Sequence, residues 1–313
     1  MSIPSVDLAE FLSGDAAAKR KFVEQLGKAY EEVGFVAVKN HGISDELIEE
    51  LYLCVQQFFS LPLEKKKNYY IPVMAGQRGY TSFGTEHAKG SEAPDLKEFF
   101  QYGQRIHNTF TTSTYPDNIS VTEIERFNAV FDAAYQAFEK SGTALLQATA
   151  LYLALDEDFF NDFVKDGNSI LRAIHYPPIT ETPKSAIRAE QHEDINLITL
   201  LIGASADGLE ILTKQKEWVP VTSLPEQIVV NVGDMLQRLT NNKLRSTTHR
   251  VVNPTQEFWH TSRFSIPFFL HPKGTMPLKC LDACIDDLHP IAYDDATAGE
   301  YLNERLIEIG LKK

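Results

Sequence analysis

The sequence feature that most constrains the fold is a change in hydrophobic periodicity near residue 169. Beyond this point, apolar and β-branched residues fall in short runs at regular intervals, and turn-forming residues separate the runs. Evenly spaced short strands are typical of a sandwich or barrel built from antiparallel strands. The predicted strands cover residues 170–176, 196–202, 208–213, 218–221, 227–232, 244–252 and 262–270. We therefore predict a mainly β fold of jelly-roll type with flanking helices.

Helical spacing dominates the first half of the chain. Apolar residues such as Phe22 and Leu26 repeat every three or four positions and predict a helix over 15–33. A second helix is expected after Ser44, whose hydroxyl can cap it, and a third over 121–155, where Gly142 could interrupt it. A closing helix is predicted to carry Tyr301, Leu302, Leu306 and Ile309 on one face, with Lys312 and Lys313 at its C-terminal end.

Residues 71–120 are rich in Gly, Ser, Thr, Asn and Pro and show little periodicity, so we predict mostly loop with short strands near Glu98. A loop of this length usually serves a functional site. The patterns divide the chain into a helical and loop region over 1–120, connecting helices over 121–168, a jelly-roll core over 169–273 and a C-terminal segment over 274–313. We expect these parts to form one compact unit.

Net charge and cysteine content restrict the partners. Thirty Lys and Arg residues against 43 Asp and Glu residues give a net charge of −13, which disfavours nucleic acid and anionic membranes. The sequence shows neither a secretory signal nor a stretch apolar enough to span a bilayer. The three scattered cysteines, Cys54, Cys280 and Cys284, suit reduced thiols. We expect a cytoplasmic protein that acts on a small molecule, and the sequence leaves its oligomeric state open.

The segment Gln191-His192-Glu193-Asp194 has the spacing of a metal chelate. In an extended chain, residues i and i+2 point to the same side, so His192 and Asp194 can bind one ion while Glu193 faces away. The tripeptide alone is weak evidence, because a His followed two residues later by an acidic residue arises often by chance. From the tripeptide alone, a polar turn at a strand edge is the better explanation.

A third candidate ligand strengthens the metal hypothesis. His249 lies in a strand-like run more than fifty residues downstream, where a jelly roll can fold it back beside His192. Two imidazoles and one carboxylate form the ligand set of non-haem Fe(II) oxygenases, which leaves positions open for a 2-oxo acid and dioxygen. Zinc more often has four protein ligands or a single water position, and the sequence offers no fourth ligand. The set therefore favours iron.

A carboxylate-binding pair is predicted at Arg263 and Ser265. Their spacing places the guanidinium and the hydroxyl on one face of a strand, while Phe264 and Ile266 pack on the other. Together the two polar groups can grip a carboxylate. The strongly apolar flanks argue against an exposed arginine and place this residue within a core sheet.

With these residues, the chain resembles the isopenicillin N synthase-like branch of the Fe(II)/2-oxoglutarate-dependent dioxygenases, and the resemblance covers nearly the whole sequence. The N-terminal motifs are Ile3-Pro4-Ser5-Val6-Asp7-Leu8, Gly34-Phe35, Asn40-His41-Gly42-Ile43, Arg78-Gly79-Tyr80 and Asp95-Leu96-Lys97-Glu98-Phe99-Phe100. The C-terminal motifs are His192-Glu193-Asp194, Thr199-Leu200-Leu201, Gly208-Leu209-Glu210-Ile211, Trp218-Val219-Pro220-Val221, Asn231-Val232-Gly233-Asp234, Ser246 with His249-Arg250-Val251, and Arg263-Phe264-Ser265. Many motifs in one order are far more specific than any single motif.

The resemblance implies a double-stranded β-helix (jelly-roll) core and an oxidoreductase that uses Fe(II), 2-oxoglutarate and O2. Such a dioxygenase oxidises a small molecule, most often by hydroxylation, and releases succinate and carbon dioxide. The implied iron ligands are His192, Asp194 and His249. The implied 2-oxoglutarate contacts are Tyr176, Arg263 and Ser265. Substrate specificity is expected to come from the irregular segment around Met74 to Glu98 and from the C-terminal helix.

Two positions depart from the pattern of the plant members of the family. Ile174 stands where those members usually have Asn, which removes one expected hydrogen bond to the co-substrate. The turn ahead of the second histidine reads Thr240-Asn241-Asn242 in place of Ser-Asn-Gly. Asn242 can still adopt the left-handed conformation that Gly would, so the turn is expected to persist.

Two other functions fit the same residues. An Fe(II) oxidase of the isopenicillin N synthase or aminocyclopropane-carboxylate oxidase type keeps the two His, the Asp and the Arg-x-Ser but consumes no 2-oxoglutarate, and binds another carboxylate with the Arg. A jelly roll that binds metal without turnover is the second alternative, because a fold can keep its shape and lose its chemistry. The isolated histidines His41, His87 and His175 are interpreted as structural or surface residues.

Overall fold

The computed structural model describes residues 3–74, 76–86, 94–105, 115–183, 186–203, 208–222 and 224–308. The α-helices in these ranges are α1 Leu8–Leu12, α2 Ala16–Glu32, α3 Asp45–Phe59, α4 Leu63–Lys67, α5 Phe127–Tyr152, α6 Asn161–Val164, α7 Asp234–Leu239 and α8 Ala298–Glu308. The strands are β1 Ser5–Asp7, β2 Phe35–Lys39, β3 Gly79–Thr81, β4 Glu98–Gly103, β5 Ile170–Tyr176, β6 Ala189–His192, β7 Ile198–Ile202, β8 Leu209–Leu212, β9 Trp218–Pro220, β10 Ile228–Val232, β11 His249–Val251 and β12 Arg263–Leu270.

The N-terminal helices begin at side-chain caps that the sequence contains. Asp15 accepts hydrogen bonds from the Ala17 and Ala18 amides at the start of α2, and the Ser44 hydroxyl accepts one from the Leu47 amide in α3. Each cap satisfies amides that have no partner within the first turn. The predicted helices over 15–33 and after Ser44 are thereby confirmed.

Two sheets form the jelly-roll core, as predicted. The larger has the order β1-β2-β10-β7-β12-β5-β4-β3 and the smaller has the order β6-β11-β8-β9. All neighbouring strands in the described ranges are antiparallel except β1 and β2. One face of the large sheet packs on α3 and α5 through residues such as Ile266, Phe268 and Leu270 of β12. Side chains alternate along a strand, so Arg263 and Ser265 occupy the other face, towards the small sheet.

Helix α5 differs from the predicted helix over 121–155. It begins at Phe127 and continues through Gly142 without the interruption that the glycine suggested. A Cβ at Gly142 would lie 3.0 Å from Leu270 and 3.4 Å from Leu200. The glycine is therefore needed for the close approach of the helix to the sheet, and the expected break was wrong.

The strand predictions are confirmed for β5 and nearly so for β12, whereas the run over 244–252 is a strand only at His249–Val251. The Arg245 amide bonds to the Tyr30 carbonyl and the Ser246 amide to the Gln237 side chain, so this backbone leaves the ladder. Strand β6 was not predicted, because four residues show too little periodicity. Asn241 and Asn242 both have positive φ, as expected for the turn.

The remaining boundaries stay predictions or lie outside the described ranges. The division at residues 120, 168 and 273 is not decided by the secondary structure. Within the described residues, α8 ends at Glu308. The predicted closing helix also included Ile309, Lys312 and Lys313, which lie outside those residues. In the described part of the chain, every helix is too short or too polar to cross a membrane.

We expect Gly34→Ala to destabilise the protein more than Gly14→Ala. Both glycines have positive φ, +75° and +79°, so each alanine carries the cost of a left-handed conformation, about 1–2 kcal/mol. A Cβ at Gly34 would also overlap the Arg245 carbonyl and the Thr247 side chain, whereas Gly14 has no atom within 4 Å. The overlap should add about 1–3 kcal/mol. Urea denaturation measures both losses, and equal losses would contradict the packing role of Gly34.

Candidate metal centre

Strand pairing brings the two histidines of the predicted metal site together. His192 ends β6 and His249 begins β11, and the two residues are directly opposite in the antiparallel register. Their ring centroids are 4.4 Å apart. Asp194 follows β6 by two residues, and the side chains of all three offer ligand atoms within 4.8 Å of one another.

Backbone carbonyls orient both imidazoles. Nδ1 of His192 lies 2.7 Å from the Glu190 oxygen, and Nδ1 of His249 lies 3.1 Å from the Thr247 oxygen. Each Nδ1 therefore carries the proton, which leaves the lone pair on Nε2. The two Nε2 atoms lie 4.0 and 3.9 Å from Oδ1 of Asp194. The three atoms form one face of a potential coordination sphere.

The Asp194 carboxylate is held by its other oxygen. Oδ2 accepts hydrogen bonds from the Thr199 hydroxyl at 2.6 Å and from the Asn231 amide at 2.8 Å. Thr199 is in turn bonded to Asn196 at 2.8 Å. These donors lie on β7 and β10 of the large sheet and in the turn before β7, so the large sheet positions a ligand beside the small one.

Electrostatics favour the protonation states that bind a metal. Burial alone would raise the pKa of Asp194, but the His249 and His192 rings and the two hydrogen bonds outweigh it and hold the pKa below its usual range. Burial and the neighbouring His249 lower the pKa of His192. The group therefore combines an ionised carboxylate with a neutral imidazole. Glu193, between the ligands, instead accepts a hydrogen bond from the Thr248 hydroxyl.

The predicted carboxylate-binding residues also meet in the structure. Arg263 and Tyr176 are direct partners in the pairing of β12 with β5, and the guanidinium carbon lies 5.0 Å from the Tyr176 ring centroid. Ser265, two residues on, stands opposite Ile174, and all of these side chains are buried. Arg188, which the sequence did not single out, lies 5.9 Å from the same ring.

A cavity of about 520 Å³ adjoins the His192 and Asp194 side chains. Its lining includes Arg172 on β5 and several residues of α8. Residues from both segments that the sequence suggested for specificity, the loop before Glu98 and the C-terminal helix, line it. The described lining residues away from the two ligands include Gln77, Glu86, Asp95, Lys97, Gln101, Arg172, Phe269, His271, Leu302 and Arg305.

The histidines interpreted as structural have structural contacts. His175 lies between Glu98 at 2.8 Å and Ser262 at 3.0 Å, and His41 accepts a hydrogen bond from the Ile43 amide. His87 lies outside the described residues. Arg172 and His271 line the cavity but were not predicted as site residues. The sequence shows Arg172 as a charged residue within an apolar strand and His271 as a histidine directly after another.

Family models match both halves of the chain. The description "non-haem dioxygenase in morphine synthesis N-terminal" matches residues 3–123, and "2OG-Fe(II) oxygenase superfamily" matches residues 167–272. The chain belongs to the 2OG-Fe(II) oxygenase superfamily. The match includes β5 to β12, which carry the histidine pair and Arg263.

Similar proteins extend over the full length of this oxygenase. The proline hydroxylase buaE of Petromyces alliaceus is 32% identical, over 98% of this chain and 99% of its own. A protein of Caulobacter crescentus assigned to the same family has a solved structure with TM-score 0.87 and 39% identity, covering 98% of this chain and 99% of that one. A full-length Neurospora crassa protein, solved in complex with alpha-KG, has TM-score 0.86 and 27% identity, covering 97% of this chain and 95% of that one.

These relatives and the His-Asp-His cluster identify the class of enzyme. The protein is a 2-oxoglutarate-dependent Fe(II) dioxygenase, an oxidoreductase that uses Fe(II), 2-oxoglutarate and O2. It acts on a small molecule, as members of the family do.

We expect Thr199→Val to weaken Fe(II) binding roughly tenfold to hundredfold, because a residue that hydrogen-bonds a metal ligand fixes its orientation and charge. Anaerobic titration with Fe(II) measures the effect. Thr149→Val is the matched control, since Thr149 is equally buried and its hydroxyl donates to the Leu145 carbonyl within α5. Equal Fe(II) affinities in the two variants would contradict the role of Thr199.

Proposed function

We propose that this dioxygenase hydroxylates a small molecule at an iron centre held by His192, Asp194 and His249. One observation carries the assignment. The three ligand atoms lie within 4.8 Å of one another, and both imidazoles are turned towards the carboxylate by backbone carbonyls. Such an arrangement, two nitrogens and one oxygen on a single face, is the donor set that non-haem Fe(II) prefers.

The residues present fit the metal. The Asp194 carboxylate supplies one negative charge beside two imidazole Nε2 atoms, and the cluster contains no thiolate that would favour zinc or copper. When bound there, iron supplies the activation of dioxygen that is coupled to the oxidative decarboxylation of 2-oxoglutarate to succinate and carbon dioxide. The protein's part would be to hold the metal through His192, Asp194 and His249 beside the cavity.

We assign the distal carboxylate of 2-oxoglutarate to Arg263, Ser265 and Tyr176. Arg263 is 1% exposed, so a carboxylate bound to its guanidinium is shielded from water and the ion pair is strengthened. Ser265 shares the strand face with Arg263, and the Tyr176 ring lies against the guanidinium. The three groups together define one end of the co-substrate site, and the metal cluster defines the other.

The primary substrate is proposed to be a small molecule that enters the 520 Å³ cavity, with no nucleic-acid partner because the chain carries a net charge of −13. One relative is named a proline hydroxylase, and the Neurospora crassa protein has a solved structure in complex with alpha-KG and thymine. A cytoplasmic location is proposed because Cys54, Cys280 and Cys284 are free thiols.

Replacement of any one ligand by alanine, His192→Ala, Asp194→Ala or His249→Ala, should abolish succinate formation and weaken Fe(II) binding. The fold should persist, because the hydrophobic core does not include these side chains. Coupled O2-uptake and succinate assays measure activity, and circular dichroism checks folding. Wild-type turnover in one of these variants, without added chemical rescue, would remove that residue from the site.

Substitution of Arg263 should lower 2-oxoglutarate affinity stepwise. Arg263→Lys loses the bidentate fork and Arg263→Gln also loses the charge, for a total fall of roughly tenfold to over a hundredfold, and Ser265→Ala should cost less. Calorimetric titration with 2-oxoglutarate measures the affinities. Arg188→Gln is the control, because Arg188 is buried beside the same ring but donates to the Thr261 carbonyl.

One result would favour the oxidase alternative. If 2-oxoglutarate affinity stayed unchanged in Arg263→Gln while affinity for a carboxylate-bearing primary substrate collapsed, the arginine would belong to the substrate site. Succinate would then not form in proportion to O2 uptake.

A further inference from the structure

The cavity beside the metal cluster contains a histidine with an unmet hydrogen bond. His271 lines the cavity and is 7% exposed, and its Nδ1 atom has no hydrogen-bond partner among the described residues. Burial lowers the pKa of His271 to about 4, so the ring is neutral at ordinary pH and carries one donor and one acceptor. A buried polar group without a partner is costly, which is the condition that a substrate group can relieve.

Arg172 is the second polar group that lines this cavity. Its Nε donates to Gln101 at 3.0 Å, and its Nη1 lies 3.3 Å from both carboxylate oxygens of Glu86. The guanidinium stacks 4.2 Å from the Phe99 ring centroid and 5.2 Å from that of Phe269. These contacts hold the group in place. The side chain is 14% exposed, and it lines the cavity.

The charged residues that line the cavity disfavour an anionic substrate. Apart from the metal-ligand candidates, its described lining contains three basic residues and five acidic ones. Each basic residue already has a carboxylate partner. The ion pairs are Lys97 with Glu86 and Asp95, both at 2.7 Å, Arg172 with Glu86 at 3.3 Å, and Arg305 with Glu308 at 2.9 Å. A substrate carboxylate would therefore have to lie beside Glu86 without a surplus positive charge to balance it.

We infer that the primary substrate of this dioxygenase is an uncharged, compact molecule with an amide-like edge, whose oxygen binds Arg172 and whose neighbouring hydrogen-bonding group binds His271. This inference rests on the proposed function and adds the chemical class of its substrate. Arg172 supplies a donor fixed by Gln101 and Glu86, and His271 supplies a neutral ring. Lactams and cyclic imides present such an edge on a small ring that the cavity can enclose.

The test uses ring-matched probes bound to the full-length protein loaded with Fe(II) and 2-oxoglutarate under anaerobic conditions. Calorimetry compares 2-pyrrolidinone, 2-piperidinone and glutarimide with cyclopentanecarboxylate and cyclohexanecarboxylate. The lactams and the imide should bind at least tenfold more tightly than the carboxylates. His271→Leu should weaken lactam binding roughly threefold to tenfold, as expected for one lost hydrogen bond. His41→Leu is the matched control, because His41 is equally buried but lines a different cavity, which Arg263 also lines and where the rings are not expected to bind. The 2-oxoglutarate affinity of this variant is measured as well.

A second set of variants tests the charge argument. Glu86→Gln removes one negative charge beside Arg172 and should raise the ratio of carboxylate affinity to lactam affinity roughly tenfold. If that buried substitution prevents folding, Glu308→Gln on α8 should shift the ratio in the same direction by a smaller factor.

Tighter binding of the carboxylates by the wild type, no binding of any lactam or imide, or equal effects of His271→Leu and His41→Leu would each overturn the inference. Titration of the same protein with 2-oxoglutarate distinguishes a failure of the substrate class from a failure of the proposed function. If 2-oxoglutarate binds and the rings do not, only the substrate class fails. If 2-oxoglutarate itself does not bind, the proposed function fails and this inference with it.

Discussion

The antiparallel pairing of β6 with β11 is the interaction on which the candidate site depends. It sets His192 opposite His249, and it does so with strands of only four and three residues. Strands this short are held by their surroundings more than by their own ladder. The large sheet provides that support, because Thr199 and Asn231 fix the Asp194 carboxylate from β7 and β10.

Successive side chains along β4 and the residues before it point alternately to the cavity and to the N-terminal helices. Lys97 faces Asp95 and Glu86 on the cavity side, whereas the next residue, Glu98, pairs with Lys66 at 2.8 Å on the side of the N-terminal helices. Buried charges are tolerated only when they are paired. The adjacent residues Lys97 and Glu98 therefore belong to two separate ion clusters. One cluster lines the cavity, and the other anchors the helical layer to the sheet.

Much of the fold could be predicted because its signals are local. The cap at Ser44, the period of α2 and the run of β5 depend on neighbouring residues in the chain, and each prediction is confirmed. The interruption that Gly142 suggested does not occur. The glycine is there because the helix lies close to Leu270 across the helix–sheet interface. Sequence periodicity contains no information about such a distance.

The sequence by itself determined the candidate residues for the chemistry. In an extended chain, residues two apart lie on one side, which pairs His192 with Asp194 and Arg263 with Ser265. The tertiary structure alone decided which groups share a cavity. Arg172 and His271 come together there from separate segments of the chain, and their neighbours leave one paired with Glu86 and the other with a nitrogen that has no partner among the described residues. Pairing and burial depend on contacts between residues distant in sequence, which is why no local pattern could predict them.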